Sequence, residues 1–152
     1  MPKENLEELN QVAQLSSLLA VALDSGLSLV AALEVTFGRA SGGVAARFQR
    51  VLASLDLGGN LHDELQKLRS KTSGSAVNDL AIKLQVSMQF GSPLVEQLTA
   101  FSQALRSRIA QQQFTQAAKK ENLMLLPLVF LILPVTVIFA IFPAMQYLNI
   151  NY

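Results

Sequence analysis

The chain has 152 residues and a net charge of +1, from 12 basic and 11 acidic side chains. This near balance gives no electrostatic case for nucleic-acid binding. The absence of cysteine excludes disulfide bonds, iron–sulfur clusters and thiol nucleophiles.

Helical segments separated by glycine make up the chain as far as residue 121, and no stretch alternates apolar and polar residues as a strand would. The first segment covers about residues 6–23 and repeats apolar side chains every three or four positions, which places them on one helix face. These side chains are Leu9, Val12, Leu15, Leu19 and Leu23. Asp24-Ser25-Gly26 is predicted to end this helix, because glycine readily adopts the left-handed conformation that follows a helix.

Three shorter helices are expected next. Ser28 is predicted to cap the second helix, which extends to about Phe37. The third helix is expected over residues 44–55, and Asn60 is predicted to cap a short fourth helix that precedes a polar loop at residues 71–75. The apolar faces of these helices are formed by Leu29, Val30, Leu33, Phe48, Val51, Leu52, Leu55, Leu61, Leu65 and Leu68.

The fifth helix is predicted over residues 76–90, with Gly91 after its end. Ser92 and Pro93 then predict a capping serine followed by proline at the first helical position. No helix breaker lies between Pro93 and Asn122, so one long helix, or two helices nearly in line, is expected to lead into the next stretch. The apolar positions of the fifth and sixth helices are Val77, Leu80, Leu84, Met88, Leu94, Leu98, Phe101, Leu105 and Ile109.

A short pattern recurs three times, at spacings of 32 and 33 residues. Each copy has a glycine, a capping or first-turn residue two positions later, and leucines three and seven positions after the glycine, so that both leucines lie on one helix face. The copies are Gly26, Leu29 and Leu33; Gly58, Leu61 and Leu65; and Gly91, Leu94 and Leu98. Such a period is typical of repeated helical hairpins, although any helical bundle also reuses helix starts of this kind.

Residues 123–148 contain no charged side chain, and Thr136 is the only polar residue between Leu123 and Met145. A helix of this length rises about 39 Å, which is enough to cross a hydrocarbon core of roughly 30 Å with some tilt. The alternative, a buried helix of a soluble domain, would require the preceding residues to cover the helix on every side. We therefore predict a cytoplasmic helical domain over residues 1–121, a transmembrane helix over residues 122–148 and a short outer tail at residues 149–152.

Three prolines lie inside this apolar stretch: Pro127, Pro134 and Pro143. Each removes a backbone donor and leaves a carbonyl group that needs another partner in the bilayer. We interpret the stretch as a span that packs against other transmembrane helices. The alternative is a tolerated kink, since proline is commoner in membrane helices than in soluble ones.

Basic residues flank the apolar stretch on one side only, at Arg106, Arg108, Lys119 and Lys120. The positive-inside rule therefore predicts a cytoplasmic N-terminal domain and an outer C-terminus. These cations could also contact anionic lipid headgroups.

No catalytic, cofactor-binding or metal site is expected. His62, Asp63 and Glu64 form the one cluster that resembles such a site, but a single histidine supplies one ligand where a metal needs three or four. The two carboxylates also suit the positive end of a helix without any chemical role. A membrane-bound enzyme that acts through these residues is the weakest alternative function.

Two stretches resemble one protein family. Residues 26–33, GLSLVAAL, resemble the opening of the type II secretion system F domain. Residues 117–134, AAKKENLMLLPLVFLILP, are similar to the junction at which inner-membrane platform proteins of the tight-adherence (Tad) pilus pass from a basic, alanine-rich helix into a proline-containing membrane segment. The resemblance covers about residues 14–145, and the second stretch is the more specific.

The resemblance implies an all-α fold, an antiparallel bundle of about six helices with a C-terminal transmembrane helix, in the bacterial inner membrane. It implies a non-enzymatic platform without a cofactor, which links a hexameric assembly ATPase to pilin subunits. Such proteins usually carry further membrane helices upstream of this domain, so we expect either a reduced member or a paralogous platform subunit that supplies them, and copies of the chain itself are a further expected partner. The alternative function is a generic tail-anchored adaptor or receptor unrelated to pili.

Overall fold

Six α-helices account for nearly all of the backbone in a computed structural model of the protein, which describes residues 5–150 except for the side chains of residues 119–125. The helices are α1 (Leu6–Asp24), α2 (Leu29–Phe37), α3 (Gly43–Asp56), α4 (Leu61–Lys71), α5 (Ala76–Phe90) and α6 (Leu94–Ile150). No strand occurs among the described residues. The predicted all-α fold is therefore confirmed, and the ends predicted for α1 to α5 agree with the observed ends to within about one residue.

The chain divides into two compact units, residues 1–110 and residues 111–152. In the first unit α1 packs against α2, α2 against α3, α3 against α4 and α4 against α5, and α1 also packs against α3 and α5. Connections of only three to five residues join successive helices. Connections this short reverse the chain direction, so the bundle is antiparallel.

An apolar core holds the first unit together. Phe37 of α2 and Phe48 of α3 are fully buried and stacked, with their ring centroids 4.2 Å apart. A pair of this kind contributes about 0.5–1.5 kcal/mol beyond the burial of its area. The predicted apolar faces supply most of the rest of the core, which includes Leu9, Val12, Leu19, Leu33, Leu65, Val77, Leu80 and Leu84.

The first turns of α6 belong to the same core. Leu98, Phe101, Leu105 and Ile109 are buried, as their spacing predicts. The hydroxyl of Ser102 donates to the carbonyl of Ala13 in α1 at 3.1 Å. The ammonium of Lys83 in α5 lies 5.2 Å from the centroid of the Phe101 ring.

Side-chain caps begin several of the helices. Ser28 accepts a hydrogen bond from the amide of Ala31, and Asn60 accepts one from the amide of His62, as predicted. The residue before α3 is Gly42, which has no side chain that could cap the helix. Gln11 of α1 supplies the missing cap, since its Oε1 accepts a hydrogen bond from the amide of Val44 at 3.1 Å.

Three predicted details are wrong. Ser92 does not cap α6: its hydroxyl is buried without a partner, and the helix begins at Leu94, so that Pro93 precedes the first helical residue. Met88 lies at the C-terminal end of α5 and is 42% exposed, because the core-facing stripe of that helix ends at Leu84 and Gln85. Val30 is 39% exposed, since the face of α2 that meets the core is formed by Ala32, Leu33, Thr36 and Phe37.

A buried amide joins α4 to α5. Gln85 is 3% exposed, and its Oε1 accepts a hydrogen bond from Nη1 of Arg69 at 2.6 Å. Its Nε2 donates to the carbonyl of His62 at 3.0 Å. Gln85 therefore hydrogen-bonds partly buried groups near both ends of α4.

Replacement of Gln85 by leucine is expected to lower the free energy of unfolding by about 1–3 kcal/mol, because it leaves the Arg69 guanidinium and the His62 carbonyl without that partner. Thermal unfolding of the full chain in detergent, followed by circular dichroism, measures the effect. Gln89→Leu is the matched control, since Gln89 is exposed on the same helix. Equal stability of the two variants would contradict the structural role of Gln85.

Candidate functional site

The most prominent surface of the second unit is an apolar helix. Leu126–Ile150 is 25 residues long, its most apolar 18-residue stretch has a mean hydropathy of 2.6, and none of that stretch is buried. A helix of this length rises about 38 Å, more than the thickness of a hydrocarbon core. The core helix of a soluble protein would instead be mostly covered, so these exposed leucine, isoleucine, valine and phenylalanine side chains indicate contact with lipid.

The three prolines lie within α6. Pro127 and Pro134 are seven positions apart and so lie on nearly the same helix face, whereas Pro143, nine positions further, lies on the opposite face. Thr136 is the polar residue beside them, and its hydroxyl donates to the carbonyls of Ile132 and Leu133 at 2.7 and 3.0 Å. A hydroxyl that is satisfied within its own helix can lie in lipid at little cost.

Arg106 and Arg108 are exposed near the end of the first unit. The side chains of Lys119 and Lys120 lie outside the described residues, as does the end of the predicted outer tail after Ile150. Tyr147 is exposed near the end of the apolar helix, as an interfacial aromatic residue would be. The orientation across a membrane therefore stays a prediction.

The three repeated glycines have similar backbone conformations. Gly26, Gly58 and Gly91 have φ of +93°, +92° and +60°, which is the left-handed region that favours glycine. They lie in the connections that precede α2, α4 and α6.

The repeated leucines follow each of these turns in the same way. Leu33, Leu65 and Leu98, seven positions after the glycines, are at most 1% exposed. Leu29, Leu61 and Leu94 are the first residues of their helices and are buried or partly buried against the core. Each copy of the pattern thus turns the chain and returns a leucine to the core.

His62, Asp63 and Glu64 lie in the first turn of α4, and in the described part of the chain no group of three histidine, cysteine, aspartate or glutamate side chains could hold a metal ion. Glu64 pairs with Lys67 at 2.7 Å, and this hydrogen bond lowers the pKa of Glu64 and raises that of Lys67. The stabilisation from Glu64 is therefore present above its ordinary pKa and lost as pH falls through the lowered value. Asp63 and Glu64 are acidic residues in the first turn of α4, where the positive end of the helix dipole favours negative charge.

Comparisons with known proteins agree with this architecture. The model of the family described as type II secretion system (T2SS), protein F, matches residues 15–142, which include most of the bundle and most of the apolar helix. No curated protein and no solved structure matches the chain. The members of that family are typically membrane platforms of secretion and pilus machines rather than enzymes. With a helical bundle, an apolar helix and a match over most of its length, this chain belongs to the type II secretion system protein F family.

Proposed function

We propose that the protein is a non-enzymatic platform of a tight-adherence (Tad) pilus or a related secretion filament. In this role the bundle receives movement from a hexameric cytoplasmic ATPase, and α6 passes it to pilin subunits at the membrane. The observation that supports this role most strongly is that α6 is one helix with two different parts. One helix contributes Leu98, Leu105 and Ile109 to the core of the bundle and also contains the apolar residues 126–150.

The proposal includes a location and partners. The bundle lies on the cytoplasmic side of the bacterial inner membrane, with Arg106, Arg108, Lys119 and Lys120 on the cytoplasmic flank of the span, as the positive-inside rule requires. The helix faces that carry Pro127, Pro134 and Pro143 pack against membrane helices of a paralogous platform subunit or of a second copy. Neighbouring helices of this kind can satisfy carbonyls that the prolines leave without a donor.

Transmission along α6 requires a helix that is stiff between the bundle and the membrane. Insertion of Gly-Ser-Gly-Ser after Gln113, an exposed residue, is expected to abolish filament assembly, because glycine strongly disfavours helix. Membrane insertion and co-purification of the ATPase are expected to persist. Electron microscopy of surface filaments measures the effect.

Insertion of four alanines at the same position is the matched control, since alanine keeps the helix continuous. Normal filament assembly with the Gly-Ser insertion would reject transmission through α6 and leave the platform role in place. Absence of any ATPase or pilin from complexes of the native chain would instead favour the adaptor function unrelated to pili.

A further inference from the structure

A groove of about 210 Å³ lies between α3 and α4 in the first unit. The two helices line it with residues spaced three or four positions apart, which form one face of each helix. Val51 and Leu68 form an apolar floor, because both are almost fully buried. The cations around this floor are Arg47, Arg50, Lys67 and Lys71. We name this surface, with its floor and its four cations, the α3–α4 groove.

The charge of the α3–α4 groove differs from that of the rest of the molecule. Its lining has four basic side chains and one acidic side chain, Glu64, so its net charge is +3. The whole chain has a net charge of +1, and the remaining residues therefore carry a net charge of −2. The groove lining therefore has a net positive charge, whereas the remaining residues together have a net negative one.

Internal partners account for only two of the four cations. Arg47 pairs with Glu8 of α1 at 3.3 Å, and Lys67 pairs with Glu64 at 2.7 Å. Arg50 and Lys71 are exposed and make no hydrogen bond or ion pair with the described residues. The Glu64 carboxylate also attracts the Lys71 ammonium without direct contact. Arg50 and Lys71 thus keep hydrogen-bond donors available beside the apolar floor.

We propose that the α3–α4 groove binds an acidic segment of a protein partner, which places carboxylates against Arg50 and Lys71 and an apolar side chain over Val51 and Leu68. Charge complementarity selects the sign of the partner, and the apolar floor favours a peptide over a phosphate surface. A flat lipid surface would contact the protruding cations and leave the floor unused. This inference goes beyond the platform role and does not depend on which machine contains the protein.

The binding test uses the full chain in phosphatidylcholine nanodiscs and a fluorescein-labelled, glutamate-rich peptide with one central leucine. We expect saturable binding by fluorescence anisotropy, and weaker binding as salt is raised, since exposed charges are screened. Replacement of the leucine by serine should weaken binding, and replacement of the glutamates by lysine should abolish it. Equal binding of the acidic and basic peptides would overturn the proposal.

The Arg50→Glu variant tests whether the peptide binds in the α3–α4 groove. We expect this variant to bind the acidic peptide about three- to tenfold more weakly, because an attractive pair becomes a repulsive one at a partly exposed site. The Arg39→Glu variant is the matched control, because Arg39 is also exposed but lies outside the groove. The substitution changes the net charge of the protein by the same amount, and this variant should bind the peptide as tightly as the native chain does. Equal weakening by both variants would show non-specific attraction and overturn the proposal.

Anionic lipid is the competing ligand. Nanodiscs are mixed with phosphatidylglycerol vesicles, and vesicle association is measured by flotation. Association that depends on Arg50, together with no binding of the acidic peptide, would assign the groove to a membrane and overturn the proposal. Failure of the peptide experiment leaves complexes with the ATPase and pilins unaffected, so it is distinguishable from failure of the platform role.

Discussion

Two arginines in the middle of the apolar helix, Leu133→Arg with Ile138→Arg, are expected to prevent stable membrane insertion. On a biological insertion scale an arginine at the centre of a span costs about 2.5–3.5 kcal/mol, so two cost about 5–7 kcal/mol. Leucine, isoleucine, valine and phenylalanine each contribute only about 0.3–0.6 kcal/mol on that scale. Residues 126–150 contain five leucines, four isoleucines, three valines and three phenylalanines, of which the double variant removes two. The favourable total of the remaining thirteen is about 4–8 kcal/mol, which the added cost roughly cancels.

Flotation of membranes in a density gradient measures this effect, since inserted protein floats with lipid and aggregated protein does not. The native chain should float and resist alkaline extraction, whereas the double-arginine variant should do neither. Leu133→Ala with Ile138→Ala is the control, and this variant should behave as the native chain does. A double-arginine variant that floats and resists extraction would show that residues 126–150 are not the membrane anchor.

Gly42→Ala is expected to cause a large loss of stability. Gly42 has φ +115° and ψ 172°, a conformation that is accessible almost only to glycine and costs other residues about 1–3 kcal/mol. A Cβ atom there would lie 2.6 Å from Oε1 of Gln11 and displace the side chain that caps α3. Loss of a helix cap adds about 0.5–2 kcal/mol, so the free energy of unfolding should fall by roughly 2–5 kcal/mol.

Gly43→Ala provides a close control for this prediction. Gly43 is the first residue of α3, has no positive φ, and a Cβ there would meet no atom within 4 Å. Alanine at this position should be neutral or stabilise the helix by up to about 1 kcal/mol. Thermal unfolding of the two variants therefore compares adjacent residues, and a Gly42→Ala variant as stable as Gly43→Ala would contradict the cap formed by Gln11.

Local patterns predicted most of the fold. The steps of three and four along α1 gave the buried face at Leu9, Val12 and Leu19, because burial follows the helical period. Gly26 and Gly91 predicted turns, since positive φ excludes most other residues. The apolar helix of α6 was also predictable, because length and composition alone distinguish a membrane span.

Contacts between residues far apart in sequence could not be predicted in this way. Gln11 caps a helix 33 positions later, and Gln49 donates to the carbonyls of Phe37, the last residue of α2, and of Ala40 in the connection that follows. Glutamine has no local signature for such roles, because its partner depends on which helices pack together. The α3–α4 groove could not be predicted for the same reason, since Arg50 and Lys71 line one surface only after α3 and α4 pack together.

The most direct test of the platform role is identification of the chains that co-purify with the full protein from its native cells. The protein is extracted with a mild detergent, captured through a tag at the N-terminus and identified together with its partners by mass spectrometry. The account predicts a secretion ATPase together with pilin or a second platform subunit, and it predicts loss of the membrane partners with Leu133→Arg and Ile138→Arg. A folded, membrane-inserted native chain that captures neither an ATPase nor any filament component would contradict it.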